Sequence, residues 1–371
     1  MTALHFSSKL SLIVKLRCRP HAEADGCATG NPLWPGVRVR RLHYPKGQVK
    51  AVKLGIFLVL FGQQSLEQAL DTAKSAGIQA VELGTGAYPG TSHVNAKAIL
   101  NDEAAINRIR TAVESRGLTI SALSCHGNPL HPDESVAKAH HEDFVATVQL
   151  AEKLGVDTVI TFSGCPGESP NSKYPSWVTC PWPPDFLTVL EWQWNEVAIP
   201  YWKEQSAFCR KHGVKVAIES HPGFLVYNTE TALRLRREAG DNIGVNFDPS
   251  HLFWQGMDPI ECVKALGDSI YHVHAKDTKI DARNTALNGV LDVKPYADEI
   301  NRSWIFRTVG YGHDDDFWKH LVSTLRLVGY DGAISIEHED SLMSVNEGFR
   351  KAAAFLNNLI LNEKAGEMWW A

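Results

Sequence analysis

The 371-residue sequence predicts a (β/α)8 barrel. Three observations carry that expectation. From Leu54 onward, short β-branched runs alternate with longer helical stretches until eight strands have been counted. Five of the helical stretches stop at a glycine, at Gly77, Gly117, Gly155, Gly213 and Gly329, as helix ends commonly do. The span Val52–Leu361 also fits a fold that takes about 250 residues before insertions.

Each element has a local reason. VKLGIFLVL supplies the first strand, Leu54–Leu60, and Ser65 caps a helix that runs to about Ala76. Ala80–Leu83 is the second strand, followed by the glycine-rich GTGAYPG and a helix over Asp102–Arg116. Leu118–Ser124 is the third strand, and a helix over Asp133–Leu154 leads to the fourth, Thr158–Ser163. A long proline-rich insertion follows, GCPGESPNSKYPSWVTCPWPPD, and then a helix over Phe186–His212. KVAIE and IGVNF are strands five and six, with a helix near Thr229–Glu238 between them. After a short helix near Pro259–Leu266, Ser269–Ala275 is strand seven. A second long insertion, Lys276–His313, precedes a helix over Phe317–Val328, strand eight at Ala333–Glu337 and a last helix near Val345–Leu361. The two long loops follow strands four and seven, so both fall on the C-terminal face, where barrel enzymes carry their active sites.

Residues 1–51 lack either periodicity and read as a poorly structured N-terminal extension ahead of a barrel domain at 52–362, with a tail at 363–371. Residues 1–53 hold ten Lys/Arg against Glu23 and Asp25, or +8, so the net −5 of the chain leaves −13 for the rest. That balance argues against a nucleic-acid partner. No run approaches 18 apolar residues, so no membrane span is expected. Seven cysteines, odd in number and without CxxC spacing, fit a reduced, cytoplasmic setting. The exposed helices of a barrel leave a homo-oligomer open, without an interface signature.

The chemistry concentrates at strand ends. Side chains alternate along a strand, so Glu219 shares a face with Ala217, and Asp248 shares one with Asn246. SIYHVHAKD ends its strand near His274, and GAISIEHED ends at Glu337. Two Glu, one Asp and one His at the ends of the last four strands predict a metal site inside the barrel mouth. An oxygen-rich set with one imidazole suits Mn²⁺, with Mg²⁺ or Co²⁺ as alternatives, better than structural Zn²⁺. His272, two residues before His274, falls on the same face one layer deeper, where a core hydrogen bond is the expected role. His221 is left with two roles, supporting the ligands or touching substrate. His126, Glu82 and Arg307 fall near strand ends or in the second insertion and are candidate substrate contacts. In the first insertion Trp177 and Trp182 offer flat faces to a sugar ring, whereas Trp192, Trp194 and Trp202 are expected to pack the following helix.

The segments VAIESHP, VNFDPSH, HVHAKD and SIEHED, with RTVGYGH before the last, resemble the xylose isomerase-like TIM barrel superfamily of sugar isomerases and epimerases. That superfamily takes in ketose 3-epimerases such as D-tagatose 3-epimerase, inosose dehydratase and endonuclease IV. The resemblance spans Val52 to about Leu361. It implies that Glu219, Asp248, His274 and Glu337 are the metal ligands, and that Glu219 and Glu337 move protons on opposite faces of the substrate. It further implies a substrate contact for His251 and, through a longer loop, for Arg307.

The expected activity is therefore metal-dependent isomerisation or epimerisation of a keto-sugar by proton abstraction beside its carbonyl. The same enolate could expel a β leaving group, making the enzyme a lyase or dehydratase acting on a 3-keto-glycoside, a C-glycoside or an inosose. A non-catalytic sugar-binding barrel is the alternative outside enzymes. Few cations lie near the site besides Lys276 and Arg307, which favours a neutral carbohydrate over a sugar phosphate.

Overall fold

The structure, a computed structural model, describes residues 51–364, 366, 369 and 370. The expected N-terminal extension lies outside the described residues except for Ala51.

Eight parallel strands close into the expected barrel. They are β1 (Lys53–Phe57), β2 (Ala80–Gly84), β3 (Thr119–Ser124), β4 (Thr158–Phe162), β5 (Lys215–Glu219), β6 (Ile243–Phe247), β7 (Ile270–Ala275) and, after two strands of a separate sheet, β10 (Ala333–Ile336). β1 closes the ring on β10, with Lys53 opposite Ala333 and Ile56 opposite Ile336. Gly55 permits that closure: a Cβ there would stand 2.7 Å from Ser335 Oγ. The outward faces, including Ile56, Val81, Val216, Ile218, Phe247, Val273 and Ile336, pack against the helices in one buried cluster. The inward faces carry Glu82, Ser124, Glu219, Asn246, His272, His274 and Ser335, all buried. This is the period-2 alternation of a strand, with polar groups turned to the barrel axis.

The helices follow their sequence signals. Ser65 and Gln68 form a capping box at the start of Leu66–Ser75. Asp133 caps Glu134–Leu154, which Gly155 ends at φ 73°. Three elements depart from the sequence reading. The first strand stops at Phe57, because Leu58 and Phe61, three residues apart, are the buried pair of a 3-10 turn over Leu58–Phe61. The long helix expected over Phe186–His212 is three pieces, Asp185–Trp192, a π turn over Gln193–Ala198, and Ile199–Lys211. The widened turn lies just before Pro200, whose ring and missing N–H do not fit an unbroken α ladder.

The third departure shapes the site. The insertion after β7 is not irregular throughout: β8 (Asp277–Ile280) pairs antiparallel with β9 (Trp304–Arg307), with a helix at Ala282–Asn288 between them. Asp277 anchors its base, accepting from the backbone of Gly310 at 3.1 Å, Gly312 at 3.0 Å and His313 at 2.9 Å. Trp304 of β9 stacks on Trp254 with centroids 4.7 Å apart. The insertion after β4 has no helix or strand between Phe162 and Asp185 and is held by Gln193, whose amide donates to the carbonyls of Gly167 (2.9 Å) and Ser176 (2.7 Å). Among the described residues no helix is long and apolar enough to cross a membrane.

Candidate metal centre

Four strand ends deliver one donor each to a common point. Glu219 ends β5, Asp248 follows β6, His274 lies in β7 and Glu337 follows β10. One ligand atom from each lies within 4.8 Å of the other three. His274 Nδ1 stands 3.2 Å from Glu219 Oε2 and 3.1 Å from Glu337 Oε2. Neither contact has hydrogen-bond geometry: His274 Nδ1, Glu337 Oε2 and the nearby His251 Nε2 are buried atoms without a hydrogen-bond partner. Buried polar atoms are rarely left so. Three of them around one point, beside three carboxylates, fit a divalent cation. Asp248 is held in place by Ser250, whose N–H donates at 2.9 Å and whose hydroxyl donates at 3.0 Å.

The surroundings keep the carboxylates charged. Burial opposes ionisation of Glu219, but His126 above all, with the His251 and His274 rings beside it, holds it well below the usual range. Burial likewise opposes ionisation of Glu337, and Lys276 and His274 outweigh it and hold that carboxyl low. Lys276 is 2 % exposed, and its Nζ lies 3.2 Å from Asp248, 3.0 Å from Glu337 and 3.1 Å from Glu339. Burial works against its charge, but Asp248, Glu337 and Glu339 together raise it well above an ordinary lysine. His274 is raised too, against burial, by Glu82 and Glu337. His221 is pushed down to about 3 by burial and by His251.

The remaining expected residues divide. His126 Nε2 donates to Glu219 Oε2 at 3.1 Å, and His251 Nε2 lies 3.5 Å from Glu219 and 3.3 Å from Asp248, so both stand at the centre. His221 packs on His251 with ring centroids 4.1 Å apart and lines a 390 Å³ cavity with Tyr296, Phe306, Glu339 and Ser341. Glu82 does not line it. It is wholly buried beneath His274, with both oxygens taken by Ser124 and His274, so the expected substrate contact is corrected. Arg307 is engaged elsewhere: its Nε donates to Asp340 Oδ2 at 3.1 Å. Trp177 packs edge-on against Tyr227, and Trp182 is 73 % exposed. Trp194 and Trp202 are buried, with Trp202 Nε1 donating to Ser163 O at 2.8 Å. The rings beside the centre are instead Phe162, 4.7 Å from His126 and 4.9 Å from His221, and Phe306, 5.5 Å from His251.

Three residues at the centre were not singled out for it. Asn246 donates to Glu219 Oε2 at 2.8 Å, Lys276 bridges carboxylates, and Glu339 faces the cavity. The strand period was the available signal: Asn246 lies two before Asp248, Lys276 two after His274 and Glu339 two after Glu337.

Residues 70–359 match the family model described as "Xylose isomerase-like TIM barrel". The chain is 39% identical over 312 residues to the uncharacterized protein YfiH of Bacillus subtilis, covering 83% of this chain and 99% of that one. It is 23% identical over 301 residues to an inosose dehydratase of Geobacillus thermodenitrificans, covering 78% of this chain and 90% of the relative. Among solved structures, a D-tagatose 3-epimerase-like protein superposes with a TM-score of 0.56 at 19% identity, over 83% of this chain and 98% of its own. The IolI protein with a bound zinc atom gives 0.59 at 18%, over 84% and 99%. The fold, the strand-end ligand set and a family match over most of the sequence lead to one conclusion: this chain belongs to the xylose isomerase-like TIM barrel family.

Proposed function

We propose that the protein is a divalent-metal-dependent isomerase or epimerase of a neutral keto-sugar. The observation that carries this reading is the convergence of Glu219, Asp248, His274 and Glu337, with His274 Nδ1 and Glu337 Oε2 left without a hydrogen bond between them. When bound, a divalent ion polarises a substrate carbonyl and stabilises the negative charge that forms beside it. The chain's own residues do the rest. Glu219 and Glu337 both lie within 3.2 Å of His274 Nδ1, and both are held ionised, so either can accept a proton from the adjacent carbon. The other glutamate, having taken up a proton from solvent, delivers it to the opposite face and inverts the centre, and the first glutamate then loses its proton to solvent. His126 and His251 hold Glu219 in orientation. Phe162 and Phe306 narrow the space around the histidines and exclude water.

Charge supports a neutral substrate. Glu219, Asp248, Glu337 and Glu339 contribute −4, Lys276 +1 and a divalent ion +2, leaving −1 around the cavity. A phosphate would be repelled. Mn²⁺ is the ion best suited to three carboxylates and one imidazole; zinc, the ion of IolI, is the competitor to test.

A second reading, elimination of a β leaving group, is favoured by Lys276. Its buried ammonium beside Glu337 is placed to stabilise a departing oxygen, and an inosose dehydratase is among the relatives. One experiment separates these outcomes. The protein, loaded with Mn²⁺, is incubated with a panel of ketoses, inososes and 3-keto-glycosides in heavy water and followed by NMR. Deuterium entering the carbon beside the carbonyl with a new epimer is the expected result. A dehydrated or cleaved product selects the lyase reading. No exchange with any member sinks both and leaves a binding protein.

A further inference from the structure

Below the four candidate ligands lies a layer of polar side chains that no substrate can reach. Glu82, Ser124, Asn246, His272 and Ser335 are each at most 1 % exposed. Glu82 Oε1 accepts from Ser124 Oγ at 2.5 Å, and Oε2 accepts from His274 Nε2 at 2.8 Å. The ion-pair partners of Glu82 among the described residues are His274 and, at 3.7 Å, His272. A buried carboxylate away from solvent is costly unless its neighbours repay it. Here the repayment is geometric. With Nε2–H committed to Glu82, the other ring nitrogen, Nδ1, is the one turned to Glu219 and Glu337. Asn246 acts in parallel on Glu219. Its Nδ2 donates to Glu219 Oε2 at 2.8 Å, which leaves Oδ1 as acceptor for His272 Nδ1 at 3.0 Å, while His272 Nε2 meets Ser335 Oγ at 3.2 Å.

We propose that Glu82 is the positioning residue of this centre. It fixes the tautomer and ring orientation of His274 so that Nδ1 ligates the cation, and its negative charge strengthens that nitrogen as a donor. Neutral ligating histidines take their tautomer from the partner of the other nitrogen. The inference rests on the metal reading above and concerns which residue makes the site competent.

The test uses the full chain, stripped of metal by chelation, with Glu82→Leu and Glu82→Gln. Mn²⁺ affinity is read by isothermal titration calorimetry, and fold by circular dichroism and melting of the metal-free forms. Glu82→Leu removes acceptor and charge and is expected to weaken Mn²⁺ binding about 10- to 100-fold. Glu82→Gln keeps an acceptor and loses only the charge, so a smaller loss is expected. In the zinc-loaded wild type, ¹⁵N spectra of the histidines should show His274 protonated at Nε2 and ligating through Nδ1. In Glu82→Gln the Nε2 proton should move upfield as its hydrogen bond weakens. A folded Glu82→Leu that binds Mn²⁺ as tightly as wild type overturns the proposal, as does ligation through Nε2. If Glu82→Leu fails to fold, unchanged affinity and an unchanged proton shift in Glu82→Gln overturn it. Wild type that binds no divalent ion overturns the metal reading and this inference together; binding by wild type and variants alike overturns only the latter.

Discussion

Lys276 Nζ stands 3.0 Å from Glu337 Oε2, deep in the barrel mouth, with the lysine only 2 % exposed. A buried ammonium thus shares two of the four candidate ligands, since Asp248 Oδ2 is 3.2 Å away. An ammonium and a divalent ion at the same carboxylates repel each other, and burial strengthens that repulsion. Glu339, at 3.1 Å, gives Lys276 a partner outside the ligand set.

Lys276→Met keeps the length of the side chain and removes its charge. Mn²⁺ affinity, read by calorimetry, should be unchanged or tighter. Turnover should fall by about 10-fold or more, because a charged group beside the reacting atoms is lost. Weaker metal binding in this variant would show that the lysine organises the ligands rather than competing with the ion.

Glu219→Gln and Glu337→Gln should each lower turnover by roughly 10²–10⁴-fold. Glu337→Gln also gives up the buried ion pair with Lys276 at 3.0 Å, so its metal-free melting temperature should fall while the fold is retained. Activity within a few-fold of wild type in either variant would end the two-glutamate mechanism.

Metal-free stability should fall on acidification. His221 and His272 are depressed to about 3 and about 4, each chiefly by burial. A histidine whose folded pKa lies below its unfolded value binds more protons when unfolded, so stability rises with pH between the two. The window runs from the unfolded value near 6.5 down to about 4 for His272 and about 3 for His221. Each contributes a slope of at most roughly 1.4 kcal/mol per pH unit. Denaturant melts at several pH values check this. His221→Gln should flatten the slope, and a flat wild-type profile from pH 6.5 to pH 4 would contradict the burial argument.

Deletion of residues 2–51 should leave turnover and melting temperature nearly unchanged. Among the described residues Val52, at 1 % exposure, is the first in the barrel core, and Lys53 already pairs with Ala333. A large drop in either measurement would make the leading segment part of the working protein.

The limits of sequence reading show at particular residues. Glu219 and His274 were legible because each occupies an inward position on a short strand, and period 2 then brings strand ends from one sheet together. Glu82 has the same signature, polar and inward near a strand end, yet ends up below the site. Alternation gives the face of a strand but not the height at which a side chain sits along the barrel axis. That height depends on stagger between neighbours, and β2 and β3 shift register at Val81/Glu82. At Arg307 the limit is of another kind. Its place in a loop said nothing of Asp340, 33 residues on, which holds its guanidinium.

By itself, then, the amino-acid order determined the barrel, its eight inner and outer faces and the residue types that meet at its mouth. These follow from side-chain alternation, helix caps and glycine stops, all interactions within a few residues of chain. Only the tertiary structure decided which inward carboxylates reach a common centre and which lie beneath it, and that Lys276 stands among them. Those outcomes depend on distances between strands far apart in sequence, such as the 2.8 Å between Glu82 and His274, which local patterning does not encode.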